Sequence, residues 1–292
     1  MIDKLEMFIA LANERHFGRA AETMGVTQPT LSSAIRQLEE QLGVQLVFRA
    51  SRFEGLTPEG QRVLDWALRI VGDARALREE MRARRLGLSG NLRIGVIPTA
   101  LPMIARLTAP FLAANPNVDM AILSRTSVEI LDGIERLDLD AGISYLDNEP
   151  LGRVVQVPLY REGYRLLVAE GSALAGRTSI PWVEVATLPL CLLTGDMQNR
   201  RIVNRHLAEA GTKVPARVEA NSSIALMSPV RTGEWVAIVA ETLAEMHGAG
   251  LKAIPIVAPD ASHLVGLIAD PREPHRPVVD ALLDQARKLA RA

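Results

Sequence analysis

Thr27–Arg49 reads "TQPTLSSAIRQLEEQLGVQLVFR". Leu31, Ile35, Leu38 and Leu42 recur there at +4, +3 and +4. At 3.6 residues per turn they share a narrow arc, with Pro29, Ser33, Arg36 and Gln37 roughly opposite. Thr27 suits the N-cap and Gly43 the stop. Thr30, Ser32 and Ser33 are poor helix formers, so short hydroxyls in the opening turns cost propensity. A partner outside the helix would account for them.

Upstream, Leu5, Phe8, Ile9 and Ala12 repeat at helical spacing, and "GRAAETMG" reads as a short helix ended by Gly25. Only "GVT" then separates it from the helix of the opening quotation. Two helices about a tight turn, the second with a Ser/Thr/Gln/Arg face, match a helix-turn-helix reader of the DNA major groove. Thr30, Ser32 and Ser33 can approach phosphates or base edges where longer side chains would hold the helix off. Gln28, Arg36 and Gln37 have the reach for base or phosphate contact, beside Pro29 on the same face. Downstream, "VQLVFRASRFEGLTP" forms two extended runs whose tip carries Arg49 and Arg52, a wing for the flanking backbone. Arg19, beside the second helix, is a phosphate candidate. The plainer reading makes Arg36 a solvated partner for Glu39 or Glu40 and the serines ordinary first-turn residues.

Thr57 as N-cap with Pro58 in the first turn starts a further helix. It runs to about Arg85, where "GLSG" makes a hinge at 87–90. A helix of about 28 residues spans roughly 40 Å. Its loose stripe of Leu64, Leu68, Val71, Ala74 and Met81 suits a protruding dimerisation helix better than one lying on its own domain. From residue 91 strands alternate with helices, which predicts α/β architecture with parallel crossovers. Two similar halves joined by two crossings, 91–161 with 268–292 and 162–267, suggest a cleft. Ligands of such sheets sit at carboxyl ends of strands.

Polar clusters occupy four of those ends: Pro98-Thr99-Ala100, Thr126-Ser127, Thr194 with Gln198 and Asn199, and Asn221-Ser222-Ser223. Thr126-x-x-Glu129 also fits a capping box. Helix N-termini favour anions, so Thr99, Ser127 and Asn221 are expected to bond a carboxylate or other oxyanion. Met197 and Met227 are candidates for the pocket wall or for core. Capping alone would explain each hydroxyl singly; the coincidence at four strand ends favours a site.

Bulk properties exclude several classes. The 292 residues suffice for about two domains. Net charge is −1, and through residue 58 six Lys/Arg stand against seven Asp/Glu. The DNA reading therefore rests on where the arginines sit. Cys191 is the single cysteine, which rules out an intrachain disulfide and a cysteine metal cluster, and "LPLCLL" suits a buried thiol. His16, His206, His247, His263 and His275 show no metal-ligand spacing, and no metal site or cofactor is expected. His263 is the one placed to sense pH or a ligand. GxSxG, GxxxxGK[ST] and GxGxxG are absent, so no catalytic residue is assigned. With neither a membrane span nor a charge-poor leader, a cytoplasmic protein is expected.

Residues 17–60 resemble the LysR-type transcriptional regulators. Ala20-Ala21, Gln28-Pro29, Ser32, Ile35, Leu38-Glu39, Leu42-Gly43, Leu46, Arg49 and Leu56-Thr57-Pro58-Glu59-Gly60 fall in matching register. The resemblance departs at Val47, Gly55, Ser33 and Ala34. It implies a winged helix-turn-helix at 1–57, a linker helix at 58–86 and a two-lobed, periplasmic-binding-protein-like effector domain at 91–292. It further implies a dimer, usually assembled into a homotetramer, that binds a double-stranded DNA operator, answers a small-molecule co-inducer and addresses RNA polymerase. The alternatives are a solute-binding protein or an α/β enzyme with an idle helix-turn-helix.

Overall fold

The computed structural model describes residues 1–49, 53–211, 216–246, 248–259 and 261–291; Arg52 and His247 lie outside them, and of Arg49 only the backbone is described. The chain divides into two compact units. One comprises Met1–Ser89 with the short segments Glu135–Asp138 and Arg272–Pro277, and the other comprises the rest.

In the first unit, α1 (Ile2–Glu14), α2 (Phe17–Thr23) and α3 (Gln28–Leu42) precede the antiparallel pair β1 (Val47–Arg49) and β2 (Phe53–Leu56), and α4 (Pro58–Leu86) follows. Leu5, Phe8, Ile9, Leu31, Ile35 and Leu38 form one core with Leu46 and Val47. The arc read for α3 thus closes as expected except at Leu42, which is 40% exposed next to the helix stop. Thr27 caps α3, its Oγ1 accepting from Thr30 N, and Gly43 ends it at φ 70°. His16 is the N-cap of α2, its Nδ1 accepting from the N–H groups of Gly18 and Arg19.

The join between α3, the wing and α4 explains several residues of the motif. Glu39 is buried and its carboxylate accepts from Leu46 N at 2.8 Å and Val47 N at 3.3 Å. Such a buried carboxylate needs donors, and the start of the wing supplies them. Arg36 therefore does not have Glu39 as a solvated partner. Thr57 donates Oγ1–H to Gln45 O at 2.6 Å and accepts from Gly60 N at 2.9 Å. Position 60 must be glycine, because a Cβ there would lie 2.0 Å from Leu46 O. Gly55 sits in the wing at φ 130°, a backbone region that disfavours side chains.

α4 keeps its expected cap and length, but its apolar stripe differs from the expected one. Leu68 and Val71 belong to the core of this unit, with Leu64 packed against it. The exposed stripe is Trp66 (63%), Ile70 (42%), Leu77 (60%) and Met81 (45%), recurring at +4, +7 and +4. Leu64 and Leu68 sit on the inward face because α1 packs along the first half of α4.

The second unit begins with β3 (Gly90–Val96), α5 (Ile104–Ala114), β4 (Val118–Ser124), α6 (Ser127–Glu135), β5 (Ala141–Tyr145) and β6 (Val155–Glu162). It continues through β7 (Tyr164–Ala169), β8 (Ile180–Pro181), α7 (Trp182–Val185), β9 (Leu190–Leu193), α8 (Gln198–Glu209) and β10 (Val218–Ala220). α9 (Met227–Arg231), β11 (Val236–Ala240), α10 (Glu241–Ala244), β12 (Leu251–Val257), β13 (His263–Ala269) and α11 (Pro277–Leu289) complete it. Among the described residues the strands form two mixed sheets, ordered β4-β3-β5-β13-β6 (lobe I) and β10-β9-β11-β7-β12-β8 (lobe II). β3 pairs in parallel with β4 and β5, and β9 with β10 and β11, as the α/β alternation predicts. The antiparallel pairs β6/β13 and β7/β12 carry the chain between lobes, with Gly163 alone between β6 and β7.

Candidate functional site

On α3, Gln28, Pro29, Thr30, Ser33, Arg36 and Gln37 are exposed and Ser32 is half-buried, so one face carries the expected polar set. Thr30 Oγ1 lies 2.9 Å from Thr27 Oγ1, and Gln37 Nε2 donates to Ser33 Oγ at 3.3 Å. These bonds orient short hydroxyls at the start of a helix that presents N–H groups outward. Arg19 is exposed but engaged within its own domain, donating to Glu14 O at 2.6 Å and to the Glu14 carboxylate at 3.4 Å. Arg49 ends β1 of the wing.

In the second unit the predicted polar residues converge from both lobes. β3 runs into a 3-10 turn at Pro98–Met103, in which Thr99 and Ala100 are buried. Thr126 forms the expected capping box: Glu129 Oε2 accepts from Thr126 N at 2.8 Å, and Glu129 N donates to Thr126 Oγ1 at 3.3 Å. The Glu129 carboxylate thereby occupies the anion-favouring end of α6. At α8 the cap position is Met197, which offers no side-chain cap. Thr194, a ligand candidate that capping alone could also have explained, does not cap α8, and its buried Oγ1 has no hydrogen-bond partner among the described residues. Asn221-Ser222-Ser223 precedes a turn rather than a helix, since α9 starts only at Met227.

Three contiguous spaces lie between these segments. A narrow slot of about 10 Å3 is lined by Pro98, Thr99, Thr126, Ser127, Met197, Gln198 and Asn199. It shares Pro98, Thr126 and Met197 with a wider mouth of about 620 Å3, which adds Arg125, Glu129, Asp196, Arg201 and Asn221. An apolar chamber of about 360 Å3 shares Pro98, Ser124 and Asn221 with that mouth and also has Ser222 and Met227 in its wall. Thr99 and Ser127 thus line the slot and Asn221 lines the adjoining mouth and chamber, while Ala100 and Thr194 line none of the three. Gln198 is 2% exposed, and neither its Nε2 nor its Oε1 has a partner among the described residues.

The floor of the slot is a hydrogen-bonded cluster in which Thr99 and Asn199, named from the sequence, meet Tyr145 and Glu162, which sequence reading missed. Tyr145 OH, fully buried, donates to the Glu162 carboxylate, receives Asn199 Nδ2 at 3.0 Å and lies 3.2 Å from Thr99 Oγ1. Burial pushes the Glu162 carboxyl up to about 7, against the opposing pull of the tyrosine hydrogen bonds. Tyr145 ends β5, so the strand-end rule that selected Thr99 selects it too. His263 Nδ1 lies 3.2 Å from Asp147, and its Nε2 lies 3.1 Å from His206 Nε2 of lobe II. Burial, then the neighbouring His263, lowers the His206 pKa. Cys191 is fully buried in β9 and burial raises its thiol pKa, in line with the reading of "LPLCLL".

The model of the LysR substrate binding domain matches residues 85–291, and that of the bacterial regulatory helix-turn-helix protein of the LysR family matches residues 2–61. The chain belongs to the LysR-type transcriptional regulators. It is 30% identical to the DNA-binding transcriptional dual regulator OxyR of Escherichia coli K12, over 98% of this chain and 94% of that protein. The hydrogen peroxide-inducible genes activator of Haemophilus influenzae is 28% identical over 99% of this chain and 98% of that one. A full-length OxyR variant from Pseudomonas aeruginosa superposes with TM-score 0.77 at 26% identity, covering 98% and 97% of the two chains. CbnR bound to its target DNA shares the fold, with TM-score 0.66 at 21% identity over 99% and 100%. This LysR-type regulator is therefore a DNA-binding transcriptional regulator with a winged helix-turn-helix and an effector-binding domain.

Proposed function

We propose that this LysR-type regulator reads its operator with Gln28, Thr30, Ser32, Ser33, Arg36 and Gln37 of α3, beside Pro29, while Arg19 and the wing residues Arg49 and Arg52 hold phosphates. Support comes from the single exposed polar face of α3 beside a two-stranded wing. The protein pairs through the exposed stripe Trp66, Ile70, Leu77 and Met81 of α4, assembles further into a homotetramer, works in the cytoplasm with RNA polymerase, and catalyses no reaction. The double variant Arg36→Ala/Arg49→Ala tests the reader: promoter binding by the full-length chain falls at least tenfold with thermal stability unchanged. Retained binding overturns the contact assignment.

The signal is a small co-inducer, anionic at one end, held between the lobes by Thr99, Ser127 and Asn221 together with Gln198. Thr126, Ser222, Pro98 and Met197 line the same space. The supporting observation is Gln198, whose buried amide has no partner among the described residues and lies in the first turn of uncapped α8. A buried amide without partners costs free energy that a ligand's oxygens and donors recover. Relatives of this chain are peroxide-inducible activators, yet a lone buried thiol whose pKa is raised is a poor target for peroxide and cannot close an intrachain disulfide. Ligand occupancy, rather than thiol oxidation, is thus the switch. Thermal shift of the full-length chain with acetate, succinate, benzoate and phosphate tests it. At least one of them raises the melting temperature by mass action, and peroxide leaves it unchanged; the reverse pattern overturns the proposal.

A further inference from the structure

The chamber beside the mouth differs chemically from the rest of the cleft. Leu101, Pro102, Ile224, Met227, Leu243 and Met246 form most of its wall, and among the described residues none that lines it is charged. Its volume, about 360 Å3, falls in the range of pockets that hold small organic ligands. Ile224 and Met246 are 72% and 65% exposed at its edge, an unusual placement for large apolar groups. Met227 and Met246 supply flexible thioethers that adapt to irregular shapes. One buried polar atom enters this wall: Ser223 is 7% exposed and its Oγ has no hydrogen-bond partner among the described residues.

A fully charged small anion would gain nothing from such a wall and would lose its hydration on entering. The mouth is charged instead, with Arg125, Thr126 and Asn221 on its surface beside Asp196 and Glu129, the latter's carboxylate already held by Thr126 N and Oγ1. The two spaces meet at Pro98, Ser124 and Asn221, so one molecule can occupy both.

We infer that the co-inducer is an amphipathic carboxylic acid whose alkyl or aromatic body fills this chamber while its carboxylate lies in the mouth, where the slot of Thr99, Ser127 and Gln198 adjoins it at Pro98, Thr126 and Met197. The inference rests on the cleft reading above and narrows it to a ligand class. Small hydrophilic acids such as acetate and succinate lack the body and bind weakly. A polar substituent on the body has one partner waiting, the Ser223 hydroxyl. Each added methylene buried in the chamber tightens binding by about fourfold until the space is full.

Calorimetric titration of the full-length chain with butanoate, hexanoate, octanoate and benzoate tests this. Affinity is expected to climb along the alkyl series by roughly threefold to fourfold per methylene. Two variants report on the chamber: Leu101→Trp fills it, and Ile224→Asp places a charge at its rim on an exposed side chain that does not support the core. Both are expected to abolish the climb, and Ile224→Asp remains decisive if Leu101→Trp misfolds. Octanoate binding equally well to Ile224→Asp as to the unmodified chain marks nonspecific adsorption and overturns the inference. A response to acetate or succinate with no dependence on chain length overturns it too, while leaving the cleft proposal intact. No response to any acid, the short ones included, removes both.

Discussion

Arg201 of α8 grips Glu149 at two points: its Nε and Nη2 donate over 2.6 and 2.7 Å to the two carboxylate oxygens. Glu149 lies in the connection between two lobe I strands and α8 belongs to lobe II, so the pair fastens one lobe to the other at the rim of the mouth. The same guanidinium donates to Asp196 O at 2.6 Å and reaches Ser127 Oγ at 3.4 Å. The hydrogen bonds from Arg201 hold the Glu149 carboxyl below the usual carboxylate range.

The clamp is about one-third exposed, so its direct contribution to stability is small, on the order of 0–1 kcal/mol. Its effect on opening should be larger than its effect on melting. Glu149→Gln is expected to shift the melting temperature by no more than a few degrees while amide exchange in the first turn of α8 speeds up severalfold at pH 7. Unchanged exchange there would show that the pair does not restrain the lobes.

Glu162 makes stability fall as pH rises. Its folded pKa of about 7 lies above its ordinary value of 4.5, so the folded protein holds the proton more tightly than the unfolded chain. The contribution is complete below about pH 4.5 and is lost as pH climbs through 7, with a slope of up to about 1.4 kcal/mol per pH unit. His206 has the opposite sign, since its lowered pKa favours the neutral ring and stability above the ordinary histidine range. Glu162→Gln isolates the first effect. The variant should be flatter than the parent between pH 5 and 7 in chemical unfolding, and identical profiles would contradict the assignment.

Gly60→Ala tests the motif at the start of α4. The added Cβ meets Leu46 O, a backbone atom that the Thr57 N–H already holds at 3.0 Å. Relief requires moving the wing or the helix start, at a cost of about 1–3 kcal/mol. Chemical unfolding should show that loss, together with weaker promoter binding. A variant as stable as the parent would mean that α4 can shift freely.

Ile70→Glu with Leu77→Glu tests the stripe of α4. Both side chains are exposed, so the substitutions spare the domain core and charge only the outer face. Light scattering after size exclusion should show the mass falling to that of one chain with circular dichroism unchanged. A dimer that persists in the double variant would place its interface elsewhere.

The elements of the first unit were legible because a small helical domain offers each helix one face to bury, and Leu31, Ile35 and Leu38 mark that face by spacing alone. α4 was legible in length but misread in orientation. Two apolar stripes run along it, and only the docking of α1 decides that Leu64 and Leu68 point inward while Trp66, Ile70 and Leu77 stay out. In the sensor, strand ends located Thr99, Ser127 and Asn221, since the β-α alternation fixes which loops gather. Tyr145 and Glu162 escaped notice because their bond links two strands that are separated in the sheet by β13. Gln198 escaped singling out because an amide in a first turn reads as an ordinary polar residue until its burial is known.

The passage between the lobes has a mechanical meaning. β6 continues into β7 through Gly163 alone, and β12 returns as β13 alongside it, so two hydrogen-bonded ribbons run in tandem across the gap. Two connections side by side at one edge of the lobes are a geometry suited to a hinge. Glu162 and His263, opposite each other in register, stand at the end of the β6/β13 ribbon where it meets the β7/β12 ribbon. A ligand that drew the lobes together would bend the chain at this junction, beside the buried carboxyl of Glu162.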